Sequence, residues 1–126
     1  MPATEHAVDL AAVAAGAAIE KQADNAIAVD VSERLPFADV FLIVSAASER
    51  RARAVVEAVE EAMFKAGAKA RSREGLEEAR WVLLDFGDVV VHVFQAEDRE
   101  YYGLERLWKD CPLVELPAIE PVGTQG

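Results

Sequence analysis

The chain has 126 residues, of which 52% are hydrophobic and 29% are charged, and this composition is typical of one folded domain rather than of a disordered chain. Its formal net charge of -10 argues against a broad nucleic-acid-binding surface, because neutralising phosphates requires an excess of Lys and Arg. The same acidity suits either a basic protein partner or a protein that its charge simply keeps soluble.

Neither a disulfide framework nor a targeting segment is expected. Cys111 is the only cysteine, so no internal disulfide can form and the cysteine-rich spacing of zinc sites is absent. The apolar stretch 10–19 follows Glu5 and Asp9 rather than a basic segment, and it is too short to span a bilayer. We therefore expect a cytoplasmic protein without a membrane partner.

The first predicted elements are an N-terminal helix and a strand. Thr4 can cap the helix, and residues at helical spacing form its predicted apolar face, namely Val8, Ala12, Ala15 and Ile19. Ile27, Val29 and Val31 then follow the period-two pattern of a strand. Pro36 ends this unit.

A short apolar run and a cap predict the next strand and helix. Residues 40–45 are almost all apolar, as expected for a strand that is covered on both faces and central in its sheet. Ser48 can cap a helix that reaches about residue 66, where Gly67 is positioned to end it. The predicted core stripe of this helix consists of Val55, Val56, Val59, Met63 and Phe64.

Three further strands are predicted before the last helix. The basic segment 68–73 fits either an exposed edge strand or a loop. Residues 81–85 and 89–94 are strongly apolar and flank a turn in which Gly87 can supply a positive φ angle. They predict an antiparallel hairpin.

The C-terminal pattern predicts one more helix and a tail. The helix runs from about residue 98 to residue 108, and the following prolines are expected to leave an exposed tail, namely Pro112, Pro117 and Pro121. We thus predict an α/β fold with a single domain at 1–111 and a Pro-containing tail at 112–126. Its mixed sheet has four to five strands, with the helices packed on it.

His92 is the first candidate for chemistry. It shares a strand face with Val90 and Phe94, and in such apolar surroundings a packed, hydrogen-bonded imidazole competes with a general base or a ligand. Asp85 and Asp88 flank the hairpin turn, where they can cap backbone amides or, as a pair, hold magnesium. The absence of a glycine-rich phosphate loop favours turn capping.

The aromatic residues at the end of the chain suggest a binding role. Tyr101, Leu104, Glu105 and Trp108 lie at helical spacing, which fits a core stripe or an interaction hot spot equally well. We expect Leu104, Leu107 and part of Trp108 to pack inward, and some of Arg99, Tyr101 and Tyr102 to face a partner. Trp81 can either contact a partner at an exposed strand end or close the core. Glu74, Gly75 and Leu76 form the turn before it, where Gly75 serves the backbone geometry.

Two long blocks of the sequence resemble a known family. The segments DVSERLPFADVFLIVSAASERRARAVVEAVEE at 30–61 and EGLEEARWVLLDFGDVVVHVFQAEDREYYGLERLW at 74–108 are similar to the ribosomal silencing factors, also called Iojap-like proteins. The matching positions are Asp30, Asp39, Ser48, Glu74, Gly75, Trp81, Asp85, Gly87, Asp88, His92, Phe94, Arg99, Tyr102, Leu104, Glu105 and Trp108. The chain departs from the family at Ala46 and Glu49, where Gly and Asp are common.

The resemblance implies a fold, a function and partners. Its members have a nucleotidyltransferase-like topology but are not known as enzymes, and the Gly-Ser entry motif and spaced carboxylates of nucleotidyltransferases are not recognisable here. They bind the large ribosomal subunit through ribosomal protein number fourteen, sterically block joining of the small subunit, and are often homodimers when free. No cofactor is implied.

We place the expected contact face on the hairpin and the last helix. Its candidate partner-binding residues are Glu74, Gly75, Trp81, Asp88, His92, Arg99, Tyr101, Tyr102, Glu105 and Trp108. Two alternatives stay open: a ribosome-assembly factor that uses the same docking surface, and a magnesium-dependent nucleotidyltransferase that uses Asp85, Asp88 and His92.

Overall fold

A computed structural model of the protein describes residues 2–117. Nine helices and strands lie within them, in the order α1 (Glu5–Glu20), β1 (Asp24–Asp30), β2 (Val40–Ala46), α2 (Glu49–Lys65), β3 (Ser72–Glu74), β4 (Trp81–Asp85), β5 (Val89–Gln95), α3 (Ala96–Tyr102) and α4 (Leu104–Leu107). No helix of this part of the chain has the length and apolarity that crossing a membrane requires.

The five strands form one mixed sheet in the order β1-β2-β5-β4-β3. β2 and β5 pair in parallel, whereas the other three pairs are antiparallel. The predicted α/β fold with a mixed sheet is therefore confirmed. β2 is an interior strand as predicted, although the middle position belongs to β5.

The two faces of the sheet have different partners. Val40, Leu42 and Val44 of β2 point to the side on which α1 and α2 pack, and we call this side the helical face. Phe41 and Ile43 point to the opposite side, because successive side chains of a strand alternate. We call this second side the aromatic face, and only α3, α4 and neighbouring loops cover it in part.

The N-terminal helix begins as predicted but buries a different stripe. Thr4 is its N-cap, and the Thr4 hydroxyl oxygen accepts a 3.1 Å hydrogen bond from the amide of Ala7. Of the predicted face only Ala15 is buried. The helix is apolar on most of its circumference, so its smallest side chains allow the closest approach. The buried residues are Ala7, Leu10, Ala11, Ala14, Ala15 and Ala18.

The second helix agrees with its prediction except at Phe64. The Ser48 hydroxyl oxygen accepts from the amide of Arg51 at 3.1 Å, and Gly67 follows the helix with a φ of 92°. Val55, Val59 and Met63 are fully buried. The Phe64 side chain is 68% exposed. Successive side chains of a helix are about 100° apart around its axis, so Phe64 lies outside the buried stripe to which its neighbour Met63 belongs.

The hairpin is confirmed, and the weaker strand before it is an edge strand. Gly87 has a φ of 94° in the turn, and an oxygen of Asp85 accepts a 2.8 Å hydrogen bond from the Gly87 amide. Asp85 therefore caps the turn. The edge strand covers only Ser72–Glu74, and all three of its residues are exposed.

The predicted last helix is two short helices. Gly103 adopts a left-handed conformation with φ 55° and ψ 42°, and its amide donates to the carbonyl of Arg99 at 2.9 Å. This arrangement ends α3 and starts α4 in a new direction. The prediction of one continuous helix at 98–108 is therefore wrong.

The segment after α4 is not the wholly exposed tail that we expected. The amide of Asp30 donates to the carbonyl of Pro112, and the amide of Val114 donates to the carbonyl of Ala28, each at 2.8 Å. Leu116 is 4% exposed and belongs to the core. Residues 112–117 thus cover the open edge of β1, while Pro121 lies outside the described residues.

Candidate partner-binding surface

Four aromatic rings run from the core to the surface on the aromatic face. Phe94 is fully buried and stacks on Trp81 with ring centroids 4.9 Å apart. The Trp81 ring lies 5.0 Å from Tyr102, which in turn lies 5.0 Å from Tyr101. Trp81 is half-buried, whereas Tyr102 and Tyr101 are 51% and 81% exposed. We call the three outer rings, Trp81, Tyr101 and Tyr102, the aromatic surface.

This arrangement has the composition of a protein-binding site. Large, rigid rings bury much area at little entropic cost, and Trp and Tyr are enriched among residues that dominate binding energy. Stacking on Phe94 fixes one side of the Trp81 ring. Tyr101 and Tyr102 are both exposed and therefore accessible, and their contact with a partner stays a prediction.

His92 lies beneath this surface. Its side chain is 3% exposed, and its Nδ1 accepts a 3.1 Å hydrogen bond from the Trp81 indole N–H. Burial lowers the pKa of His92 to about 4, because water no longer solvates the charged form. The imidazole is therefore neutral near pH 7. The packed, hydrogen-bonded alternative is the one observed, and the covered side chain is not part of the exposed area of the aromatic surface.

Arg99 is likewise buried rather than facing outward. The residue is 8% exposed, and its Nη1 donates to the carbonyl of Asn25 and, at 2.9 Å, to the hydroxyl of Ser45. Its Nε donates at 3.1 Å to a carboxylate oxygen of Glu105. The guanidinium thereby joins α3 to β1, β2 and α4, so Arg99 supports the structure beneath the aromatic surface and is not part of its exposed area.

An irregularity in β1 provides one of these anchors. The β1–β2 register shifts between Asp24 and Ile27, and Asn25 has a φ of 51° within that shift. Asn tolerates this left-handed conformation better than most residues. Sequence reasoning missed Asn25 and Ser45, and the only local signal was Asn at the start of a strand.

Glu105 and Trp108 close the structure beside the aromatic surface. Glu105 is half-buried by its ion pair with Arg99. Trp108 is also half-buried, and its ring meets Phe41 edge-on at 5.3 Å.

Leu104 is buried as predicted, but Leu107 is 67% exposed. Its predicted inward packing is wrong, because the break at Gly103 rotates α4.

Glu74 and Gly75 lie at the sheet edge near Trp81. Glu74 is the cross-strand partner of Leu83, so both side chains point to the aromatic face. Gly75 has a φ of 84°, and a Cβ atom at this position would lie 2.1 Å from the carbonyl oxygen of Trp81. Only glycine fits there, so Gly75 fixes the turn that leads to Trp81.

Asp88 lies apart from the other candidates. It occupies the hairpin turn before β5, whereas Trp81 pairs with Phe94 near the opposite end of that strand. At about 3.3 Å per residue, the six positions from Asp88 to Phe94 span roughly 20 Å. The structure therefore does not bring Asp88 together with the aromatic surface.

The acidic and histidine residues that were candidates for metal binding do not converge. Within residues 2–117, no group of three or more His, Cys, Asp or Glu side chains could hold a metal ion. The Asp85 carboxylate is engaged with the Gly87 amide, and Nδ1 of His92 is engaged with Trp81. These contacts serve local structure and the orientation of Trp81.

Comparison with known proteins gives a consistent match. A family model described as "Ribosomal silencing factor during starvation" matches residues 4–125. A Bacillus subtilis protein named "Ribosomal silencing factor RsfS" is 41% identical over 104 residues, covering 82% of this chain and 88% of that relative. A Halalkalibacterium halodurans protein of the same name is 40% identical over 111 residues, covering 88% of this chain and 95% of that relative.

A solved structure supports the same relationship. A crystal structure of a Bacillus halodurans protein superposes with a TM-score of 0.76 at 39% sequence identity. The match covers 86% of this chain and 98% of that one. The family match over nearly the whole sequence and the agreement in fold lead to one conclusion: the chain belongs to the RsfS family of ribosomal silencing factors.

Proposed function

We propose that this protein represses translation by binding the large ribosomal subunit through ribosomal protein number fourteen and sterically blocking the small subunit. The observation that carries the proposal is the family match across residues 4–125, together with relatives named as ribosomal silencing factors. The protein acts by occupancy, so it needs a docking surface rather than a reactive group.

The aromatic surface is the docking site in this proposal. Tyr101 and Tyr102 are large exposed side chains that continue a fixed stack of rings into solvent. Such clusters of rigid rings are favoured at protein interfaces. Trp81 contributes the part of its ring that its neighbours leave open.

Charge supports a basic protein partner. Glu97 and Asp98 occupy the first turn of α3, and the exposed Glu100 precedes the tyrosines. Glu74 points to the same face of the sheet. These carboxylates complement a basic ribosomal protein and steer its approach, whereas they repel RNA phosphates.

Self-association and location complete the proposal. A free protein that exposes an aromatic surface gains by covering it, and a symmetric homodimer does so with a second copy. Ribosome binding displaces that copy. We place the protein in the cytoplasm, where ribosomal subunits join. Use of the same dock during subunit assembly differs only in timing, and no contact among the described residues favours magnesium-dependent nucleotidyl transfer.

Sedimentation of purified subunits tests the proposal. With protein added at a magnesium concentration that permits joining, we expect it to migrate with free large subunits and the joined peak to decrease. Tyr102→Ala should weaken this association about tenfold, since an interface hot spot contributes about 1.4 kcal/mol or more. Binding of the isolated ribosomal protein number fourteen tests the named partner.

A matched control separates specific docking from nonspecific hydrophobic binding. Phe64 is 68% exposed on α2, and that helix packs on the opposite face of the sheet. Phe64→Ala therefore removes a comparable exposed ring away from the aromatic surface and should leave subunit binding unchanged. Equal binding by Tyr102→Ala and the wild type would remove the docking assignment, and joining that is unaffected by the wild-type protein would remove the proposed function.

A further inference from the structure

The indole N–H of Trp81 makes its hydrogen bond inside the protein, although Trp81 is only half-buried. Trp81 is half-buried at the start of an antiparallel strand, where its one polar atom could be solvated by water. Instead its indole N–H points inward and donates to Nδ1 of His92 at 3.1 Å. The indole is thereby tied to the strand beside it.

The imidazole is itself held in one orientation. Phe41 packs against His92 with ring centroids 4.7 Å apart and an interplanar angle of 58°, and Trp81 approaches from β4, the neighbouring strand. A neutral imidazole whose Nδ1 accepts must carry its proton on Nε2. Burial lowers the pKa of His92, so the accepting form predominates at neutral pH.

This tautomer leaves a polar group unsatisfied. His92 Nε2 is buried and has no hydrogen-bond partner among residues 2–117. A buried donor without a partner is destabilising, and an aliphatic side chain would fill a position between Ile43 and Leu83 without that cost. Unlike an aliphatic side chain, the histidine can accept the hydrogen bond from Trp81, a residue of the proposed docking surface. This contact offsets the cost of the unsatisfied Nε2.

We propose that His92 is a positioning residue that orients the Trp81 ring for partner binding by accepting its indole N–H. The inference rests on the proposed function, because it requires Trp81 to meet the partner. Phe94 fixes one side of the ring by stacking, with 24° between the planes, and His92 fixes its rotation in that plane. A ring already held in its bound orientation loses less freedom on binding.

The first test observes the free protein by NMR. Trp81 and Trp108 are the only tryptophans, so Trp108→Phe assigns the two indole N–H signals. His92→Leu should move the Trp81 signal and accelerate its exchange with solvent. His92→Asn places an amide oxygen near the position of Nδ1 and should restore slow exchange. His92→Gln carries the same amide one methylene further out and should not.

The second test measures affinity for purified large subunits. We expect His92→Leu and His92→Gln to bind about five- to tenfold more weakly, and His92→Asn to bind within about twofold of the wild type, as expected for one lost or retained hydrogen bond. In a Trp81→Phe background, which has no indole N–H, His92→Leu should have no further effect. A general packing defect would persist in that background.

The outcomes separate this inference from the proposed function. If Trp81→Ala weakens binding but His92→Leu binds like the wild type, the positioning role is wrong and the docking surface stands. If Trp81→Ala binds like the wild type, the docking assignment of Trp81 fails, and with it the role of His92. Should His92→Leu not fold, the Asn and Gln variants decide alone: equal indole exchange and equal affinity in the two would overturn the inference.

Discussion

The two faces of the sheet are built from different kinds of interaction. On the helical face, alanines of α1 and aliphatic side chains of α2, β2 and β5 form one continuous buried cluster. The aromatic face and its two short helices hold the three buried polar or charged residues of the described chain, Ser45, His92 and Arg99. They also hold all its buried side-chain polar atoms without a partner, which belong to His92, Glu105 and Trp108.

The two kinds of interaction contribute differently to the fold. Aliphatic packing contributes free energy in proportion to the area buried and is indifferent to orientation. Hydrogen bonds to His92 and Arg99 fix directions instead, and the unsatisfied atoms beside them cost stability. We infer that packing on the helical face supplies most of the folding free energy. The polar groups of the aromatic face lower the net stability but hold Trp81 and the tyrosines in place.

The largest expected effect comes from a truncation on the helical face. Leu42 is fully buried there, and Leu42→Ala should lower the free energy of unfolding by about 4 kcal/mol, because it removes buried methyl groups and leaves a cavity. Leu83→Ala, at a half-buried position on the aromatic face, should cost less than half as much. Urea unfolding measures both, and equal losses would contradict the comparison.

A second prediction concerns pH and the aromatic face. The pKa of His92 is lowered from 6.5 to about 4 by burial, so the unfolded chain binds this proton more readily than the folded one. The contribution of neutral His92 to the free energy of unfolding is therefore complete above pH 6.5, and it is lost as the pH falls towards 4. Over that window, protonation of His92 should lower the free energy of unfolding by about 3 kcal/mol.

Unfolding of the wild type and of His92→Asn at several pH values isolates this contribution. The variant should lack the decrease between pH 6.5 and 4. Asp30 acts at lower pH, since hydrogen bonds from Ser32 and the amide of Ala3 outweigh desolvation and hold its pKa below 3.8. The same slope in both proteins across the His92 window would contradict the buried, neutral imidazole.

A third, smaller effect compares two arginines. Arg99→Ala should lower the free energy of unfolding by about 2 kcal/mol, because it leaves the half-buried Glu105 carboxylate unpaired, partly screened by solvent. It should also accelerate hydrogen exchange in α3. Arg53 makes a similar set of contacts with Glu49 and two backbone carbonyls, but it is on α2 and its side chain is 41% exposed.

Arg53→Ala is therefore the matched control and should cost less than about 1 kcal/mol. Its effect on α3 exchange should be undetectable. If the two variants lost equal stability, or if α3 exchanged equally slowly in both, the guanidinium of Arg99 would not be what holds the aromatic surface to the sheet.

Features with local signals were predictable from sequence. Ser48 caps α2 because a hydroxyl precedes a helical pattern, and Gly67 ends it because glycine accepts a positive φ angle. The hairpin at Gly87 follows from two apolar runs around a glycine. For the tyrosines, composition left a core stripe and an exposed hot spot equally open, and the structure shows Tyr101 and Tyr102 to be exposed.

Features that depend on distant contacts were not predictable. Arg99 is buried because the carbonyl of Asn25 lies beside it, 74 positions away in the sequence. The docking of residues 112–117 depends on the free edge of β1. Gly103 was visible within a helical pattern, but glycine is tolerated in helices, and only tertiary packing turned it into a break.

The segment that runs beside β1 also limits how this protein can associate. An uncovered sheet edge invites strand addition and aggregation. Here Pro112 and Val114 occupy the backbone groups of β1, and the other edge offers only the three exposed residues of β3. With part of one border covered and the other reduced to a strand of three residues, extension of the sheet by neighbouring molecules is disfavoured. Contacts with other proteins are thereby directed to side chains on the two faces of the sheet.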